Sequence, residues 1–71
     1  MTYKTFQEFL KSDIAKSYRD ENFHKMKEDL RKICIEGNWP VANNEAALSA
    51  ITNDNIDALL LDIYEREYKE K

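Results

Sequence analysis

Residues 35–40 read Ile35-Glu36-Gly37-Asn38-Trp39-Pro40 and hold the only glycine, the only tryptophan and the only proline of the chain. The only cysteine, Cys34, stands just before them. Gly37 suits the left-handed position that ends a helix without a Cβ clash. Pro40 keeps the helix from resuming and pushes Trp39 toward an extended backbone. One helical pattern ends here and another begins, with a large aromatic ring at the break. Trp39 is expected to be largely buried, as the plug between the second helix and the last.

On the N-terminal side, Phe23, Met26, Leu30, Ile33 and Cys34 fall within about a third of a helix circumference at roughly 100° per residue. Asp20-Glu21-Asn22 supplies caps and acidic side chains for the start of that helix. Earlier still, Thr5-Phe6-Gln7-Glu8 has the form of a capping box, and Phe6, Phe9, Leu10, Ile14 and Tyr18 recur on one face. The pattern predicts a helix over about residues 5–17, although Ser12-Asp13 could open a new turn and divide it in two. On the C-terminal side, Asn43-Asn44 precede a short alanine-rich helix containing Leu48 and Ile51. Asn53-Asp54 then precede a last helix with Ile56, Leu59, Leu60 and Ile63 as its core stripe. Arg66, Lys69 and Lys71 stand near its end, where positive charge is favoured.

These elements predict an all-α fold, a compact single-domain bundle of four to five short helices spanning residues 1–71. A chain with one glycine and one proline lacks the turns a strand-rich fold needs. Phe6, Phe9, Leu10, Phe23, Met26, Leu30, Ile33, Leu48, Ile51, Ile56, Leu59, Leu60 and Ile63 are expected to pack with Trp39. The balance of 42% hydrophobic and 35% charged residues suits a folded domain and not a disordered tail. The longest apolar run, Ala58-Leu59-Leu60-Leu61, is far short of the roughly 20 residues that span a bilayer. A lone cysteine cannot form an internal disulfide, which fits a reducing, cytoplasmic compartment.

The net charge of −3 is unevenly spread. Residues 1–36 carry eight Lys/Arg against seven Asp/Glu, and residues 37–71 carry three against seven. No Lys or Arg occurs between Lys32 and Arg66. A helix–turn–helix reading of residues 20–51 would therefore put residues 44–51, Asn44-Glu45-Ala46-Ala47-Leu48-Ser49-Ala50-Ile51, with no basic residue at all, into the groove, where Arg, Lys, Asn or Gln must read bases. Direct nucleic-acid binding is disfavoured on that ground.

Enzyme chemistry fares no better. His24 and Cys34 lie ten residues apart on one predicted helix, about 15 Å along its axis, too far for a catalytic pair. Cys34 belongs to the apolar stripe, where a cysteine acts as a small hydrophobe. Asp20, His24 and Glu28 at i, i+4 and i+8 could line one face as metal ligands, but no second histidine or cysteine supports them. A single glycine cannot build a phosphate-binding loop. The expectation is a non-enzymatic protein with no cofactor and no metal.

The last predicted helix carries a second apolar row, Leu61, Tyr64 and Tyr68, displaced about 80–140° from its core stripe. Two readings are open: the bundle wraps this helix on two sides, or the row is a contact face for another protein or a second copy of the chain. The functional expectation is the latter, a protein–protein interaction module using Asp57, Leu61, Tyr64 and Tyr68, since tyrosine suits interfaces. Its rival is an acidic regulator of a nucleic-acid-handling machine, of phage or mobile-element type. In that role Asp54, Asp57, Asp62, Glu65 and Glu67 would imitate a nucleic acid against a basic groove.

Phe6-x-x-Phe9-Leu10, Asp29-Leu30 with Ile33, Trp39-Pro40, Leu48 with Ile51, and Ala58 with Ile63-Tyr64 together resemble the small bacterial YozE-like proteins. The likeness spans nearly the whole chain in short, mostly hydrophobic pieces. It implies a sterile-alpha-motif-like (SAM-like) helical fold and a bacterial or phage setting. That family is functionally uncharacterised, so the likeness implies no catalytic residue.

Overall fold

The computed structural model describes residues 1–70; Lys71, expected to favour the last helix end, lies outside them. The chain is all-α, with three α-helices: α1 (Phe6–Leu10), α2 (Asp13–Glu36) and α3 (Glu45–Ile63). A 3₁₀ turn, Pro40–Asn43, joins α2 to α3, and a π turn, Tyr64–Tyr68, follows α3. Two long antiparallel helices make a hairpin, and α1 folds across its open end. The molecule measures 45 × 17 × 15 Å. Its radius of gyration is 14.3 Å, against about 11 Å for a globular chain of this length.

The helices are longer than their sequence signals suggest. Of the two readings of residues 5–17, the divided one holds: α1 ends at Leu10 and Ser12 caps α2. Ser12 Oγ accepts from the amide of Ala15 at 3.3 Å and donates to the Phe9 carbonyl at 2.6 Å. Asp20-Glu21-Asn22 lies inside α2 and not at its start. Asn53-Asp54 likewise lies inside α3, which runs unbroken from the Asn44 cap, whose Oδ1 accepts from the Ala47 amide at 3.1 Å. Asn22 turns its amide back onto the Tyr18 carbonyl at 2.7 Å within α2, and Arg19 engages Asn53 from across the hairpin. The Arg19 guanidinium donates to Asn53 Oδ1 at 2.9 Å and pairs with the Asp57 carboxylate, so the Asn53 side chain is engaged across the interface and not in capping a helix.

The break at residues 36–40 ends α2 as expected, but with one exchange. Gly37 keeps a right-handed conformation (φ −82°), and Asn38 takes the left-handed one (φ 56°). The Trp39 amide then reaches the Cys34 carbonyl at 2.9 Å, closing the helix end. Asparagine tolerates that conformation better than any other non-glycine residue does. Glycine at 37 serves a different contact. The indole lies over it, and a Cβ there would sit 2.9 Å from Trp39 Cε2.

Trp39 itself is not the plug. It is extended, as the following proline requires (ψ 133°), and 55% of it is exposed. The 3₁₀ turn instead inserts small Ala42 against Cys34 and Leu48, with Leu30 and Val41 packed around them. Ile33, Ile51 and Leu59, also expected in the core, are exposed. Trp39→Ala should therefore cost less than about 1 kcal/mol, as exposed substitutions do, and not the about 3–5 kcal/mol of an emptied core site. Thermal unfolding of the variant checks this. Gly37→Ala should leave the melting temperature close to wild type while displacing the indole, read as a shift in tryptophan emission.

The core is a spine on α3: Leu48, Thr52, Ile56, Leu60 and then Tyr64 are buried at every fourth residue. Thr52 is admitted because its hydroxyl donates to the Leu48 carbonyl at 2.7 Å. At the open end, Phe9 is fully buried and surrounded by aromatic rings. Tyr68 stacks on it at 5.2 Å, Tyr3 meets it edge-on at 5.5 Å, and Tyr64 lies at 5.6 Å. Backbone bonds from the Tyr3 amide to the Tyr68 carbonyl (2.8 Å) and from Glu70 back to Tyr3 (3.3 Å) tie the two chain ends together.

Candidate interaction surface

An antiparallel helix pair has two edges, and here they differ in kind. Along one edge, Arg19 pairs with Asp57 and Arg31 with Glu45. Twelve residues separate Arg19 from Arg31, and twelve separate Glu45 from Asp57, so the two pairs fix one register. Lys27 Nζ adds a contact to Glu45 at 3.5 Å. Arg31 also holds Glu28 at 3.2 Å and donates to the Ala42 carbonyl at 3.3 Å, so one guanidinium joins α2, the connecting turn and α3. This edge is sealed by charge.

Its electrostatics have a direction. Hydrogen bonds from Arg31 hold the Glu28 and Glu45 carboxyls below their ordinary value of 4.5. A carboxylate whose folded-state value is depressed stabilises the fold fully above its ordinary value and loses that contribution as pH falls through the lowered one. Wild-type stability should therefore fall below pH 4.5 more steeply than that of Arg31→Met, which lacks the pairing. Denaturant titrations from neutral pH downward would show it, and parallel curves would contradict it.

The opposite edge carries no such seal. With the register fixed, α2 presents Ile14, Tyr18, Asn22 and Met26 at steps of four, and α3 presents Ile63, Leu59, Asn55 and Ile51 beside them. Ile14, Ile51 and Leu59 are exposed, the last by 43%. Tyr18, Asn22, Met26 and Ile63 are half-buried. Ile14, Tyr18, Leu60, Ile63 and Tyr68 line one shallow groove at its end, with Asp13 and Glu21 also on its wall. Neither row contains a charged side chain.

The four residues expected to form the contact face do not share one exposed surface. Tyr64 is only 4% exposed, and its hydroxyl donates to the Tyr3 carbonyl at 2.9 Å. Asp57 is engaged by Arg19 on the sealed edge. Leu61 is exposed but points about 200° from Leu59 at the helical angle. Tyr68 is half-buried and borders the open-edge groove. The wrapped reading of the last helix holds for Tyr64, because α1 and the N-terminal strap cover a side that helical periodicity alone leaves free.

Of the acidic residues offered as a nucleic-acid mimic, Asp57 is paired with Arg19, and Asp62 with Arg66 at 3.0 Å. Asp54, Glu65 and Glu67 are exposed. His24 is exposed and Cys34 fully buried; Glu28, the third residue of the Asp20–His24–Glu28 row, binds Arg31. Among the described residues no helix is long and apolar enough to cross a membrane. Comparison with protein-family models, with curated proteins and with solved structures finds no match for this chain.

Proposed function

We propose that this chain is a small non-enzymatic helical module that works by binding protein. One observation carries the reading: a hairpin sealed by ion pairs along one edge leaves Ile14, Ile51 and Leu59 exposed in uncharged rows along the other. Exposed apolar side chains gathered on one face of a small domain are the kind of surface that serves interaction. A SAM-like relationship to the YozE-like proteins accords with the reading by analogy only, since helical modules of that class often serve as contact domains. A cytoplasmic setting belongs to the same proposal, because Cys34 is a free, buried thiol. The acidic-regulator alternative is weaker, since Asp57 and Asp62 are already engaged within the chain.

The test is comparative capture. Immobilised wild type, Leu59→Glu and Leu61→Glu are exposed to the same extract of the source cell. Proteins retained by wild type and Leu61→Glu but lost from Leu59→Glu support the open edge. Retention by all three variants contradicts it.

A further inference from the structure

One backbone torsion separates α1 from α2. Lys11 is already helical (φ −85°, ψ −7°), and Ser12 has a near-helical φ of −73°. The Ser12 ψ of 158° alone is extended, against about −42° in a helix. The surrounding sequence favours helix. None of residues 1–36 is glycine or proline, and Phe6, Phe9, Leu10, Ile14 and Tyr18 keep helical spacing straight across the bend. Rotating that one bond to its helical value makes residues 6–36 a single helix, about 46 Å long, and carries α1 away from the hairpin.

A straightened copy leaves an apolar site empty. Phe9 is fully buried in one cluster with Ala15, Ile56, Leu60 and Tyr64, and Tyr68 stacks on its ring. Tyr3 travels with α1, and its backbone holds the far end of the chain. Its amide donates to the Tyr68 carbonyl at 2.8 Å, and its carbonyl accepts from the Tyr64 hydroxyl at 2.9 Å. All these partners except Ala15 stand on α3 or the π turn, at the opposite end of the sequence. A second copy offers the same set.

We propose that the chain forms an exchanged dimer: Ser12 takes the helical ψ, α1 and α2 become one helix, and residues 1–10 of each copy fill the aromatic site of the other. The inference goes beyond the open edge and does not depend on it.

The exchange gives up little. The bonds peculiar to the bend centre on Ser12, whose Oγ accepts from the Ala15 amide at 3.3 Å and donates to the Phe9 carbonyl at 2.6 Å. The Ser12 amide also reaches the Phe9 carbonyl, at 3.0 Å. A continuous helix replaces these with its own bonds four residues back. The packing of Phe9 and Tyr3 is regained in the partner, which is why exchanging a terminal element is a low-cost route to a dimer. Lost freedom of motion on association favours the bent monomer in dilute solution, so concentration sets the balance.

Sedimentation equilibrium of the full chain, refolded from urea at about 1 µM to about 1 mM, tests the proposal with three proteins. Wild type is expected to show twice the monomer mass in the upper part of that range. Ser12→Ala should lower the dissociation constant about tenfold or more, because each bent copy loses its cap. Asp13→Pro should stay monomeric with its helices intact by far-UV circular dichroism. Proline suits the first position of α2 and holds Ser12 extended. Wild type refolded from equal parts of isotope-labelled and unlabelled chain should show Phe9–Tyr64 ring contacts between copies in isotope-filtered nuclear Overhauser spectra. A wild type that stays monomeric throughout overturns the inference, as does a dimer whose Phe9–Tyr64 contacts all lie within one copy. Dimerisation of Asp13→Pro equal to that of wild type overturns it too.

Discussion

Phe9→Ala is expected to destabilise the chain by about 3–5 kcal/mol, the usual consequence of emptying a buried aromatic site. Total stability for 71 residues is on the order of 4–11 kcal/mol, so the variant should be largely or wholly unfolded near body temperature. The reason lies in how α1 is attached. Five residues are too few to hold a helix on their own, and α1 stays in place because Phe9 is enclosed by Tyr3, Tyr64 and Tyr68. Removing that ring also loosens the Tyr3–Tyr68 backbone link, which depends on the same cluster. Urea denaturation and near-ultraviolet circular dichroism should both register the loss. A change below about 1 kcal/mol would mean that the aromatic end does not anchor the hairpin.

Leu48→Ala should have the second-largest effect, about 2–5 kcal/mol. Leu48 is fully buried against Cys34 and Ala42, where the turn, α2 and α3 meet in one buried cluster. Ala42 and Cys34 are small, so neither can move far enough to fill the space. The informative control is Ile51→Ala, three residues along the same helix, which should cost clearly less than Leu48→Ala, since 38% of Ile51 already faces water and none of Leu48 does. Equal losses at the two positions, measured by chemical denaturation, would place Ile51 inside the core and contradict the open edge.

The contrast between Leu48 and Ile51 also shows what could be read before any coordinates. Both fit an apolar helical stripe, and periodicity alone gives no reason to separate them. What separates them is the direction from which α2 approaches, a tertiary fact. Phe9, Ile56 and Leu60 were legible because a stripe centre stays buried whichever neighbour covers it. The caps at Thr5 and Asn44 and the stop at Gly37–Pro40 were legible because their causes are local. Asp20-Glu21-Asn22 and Asn53-Asp54 misled for the converse reason. Their capping chemistry is real, but Arg19 holds Asn53 from a position 34 residues away in sequence, which no local pattern encodes, and Asn22 bonds back to the Tyr18 carbonyl within α2. Trp39 misled through size. A large ring at a helix break suggests a plug, yet the space left by the 3₁₀ turn fits Ala42, and the indole lies outside on Gly37.

The candidate surface was legible only in part. Tyr68, of the second apolar row on the last helix, borders the open groove. Tyr64 was lost to the core because α1, only five residues long, covers it from a direction that α3 cannot reveal. Leu59 was assigned to the core for the same want of direction.

The central claim is that one edge of this hairpin is shut by ion pairs and the other stands open. Methyl resonances of dilute, monomeric protein in the presence of a soluble paramagnetic probe test it most directly. The account predicts strong broadening of the Ile14, Ile51 and Leu59 methyls, with those of Leu48, Ile56 and Leu60 protected. Protection of Ile51 and Leu59 equal to that of Ile56 would contradict it.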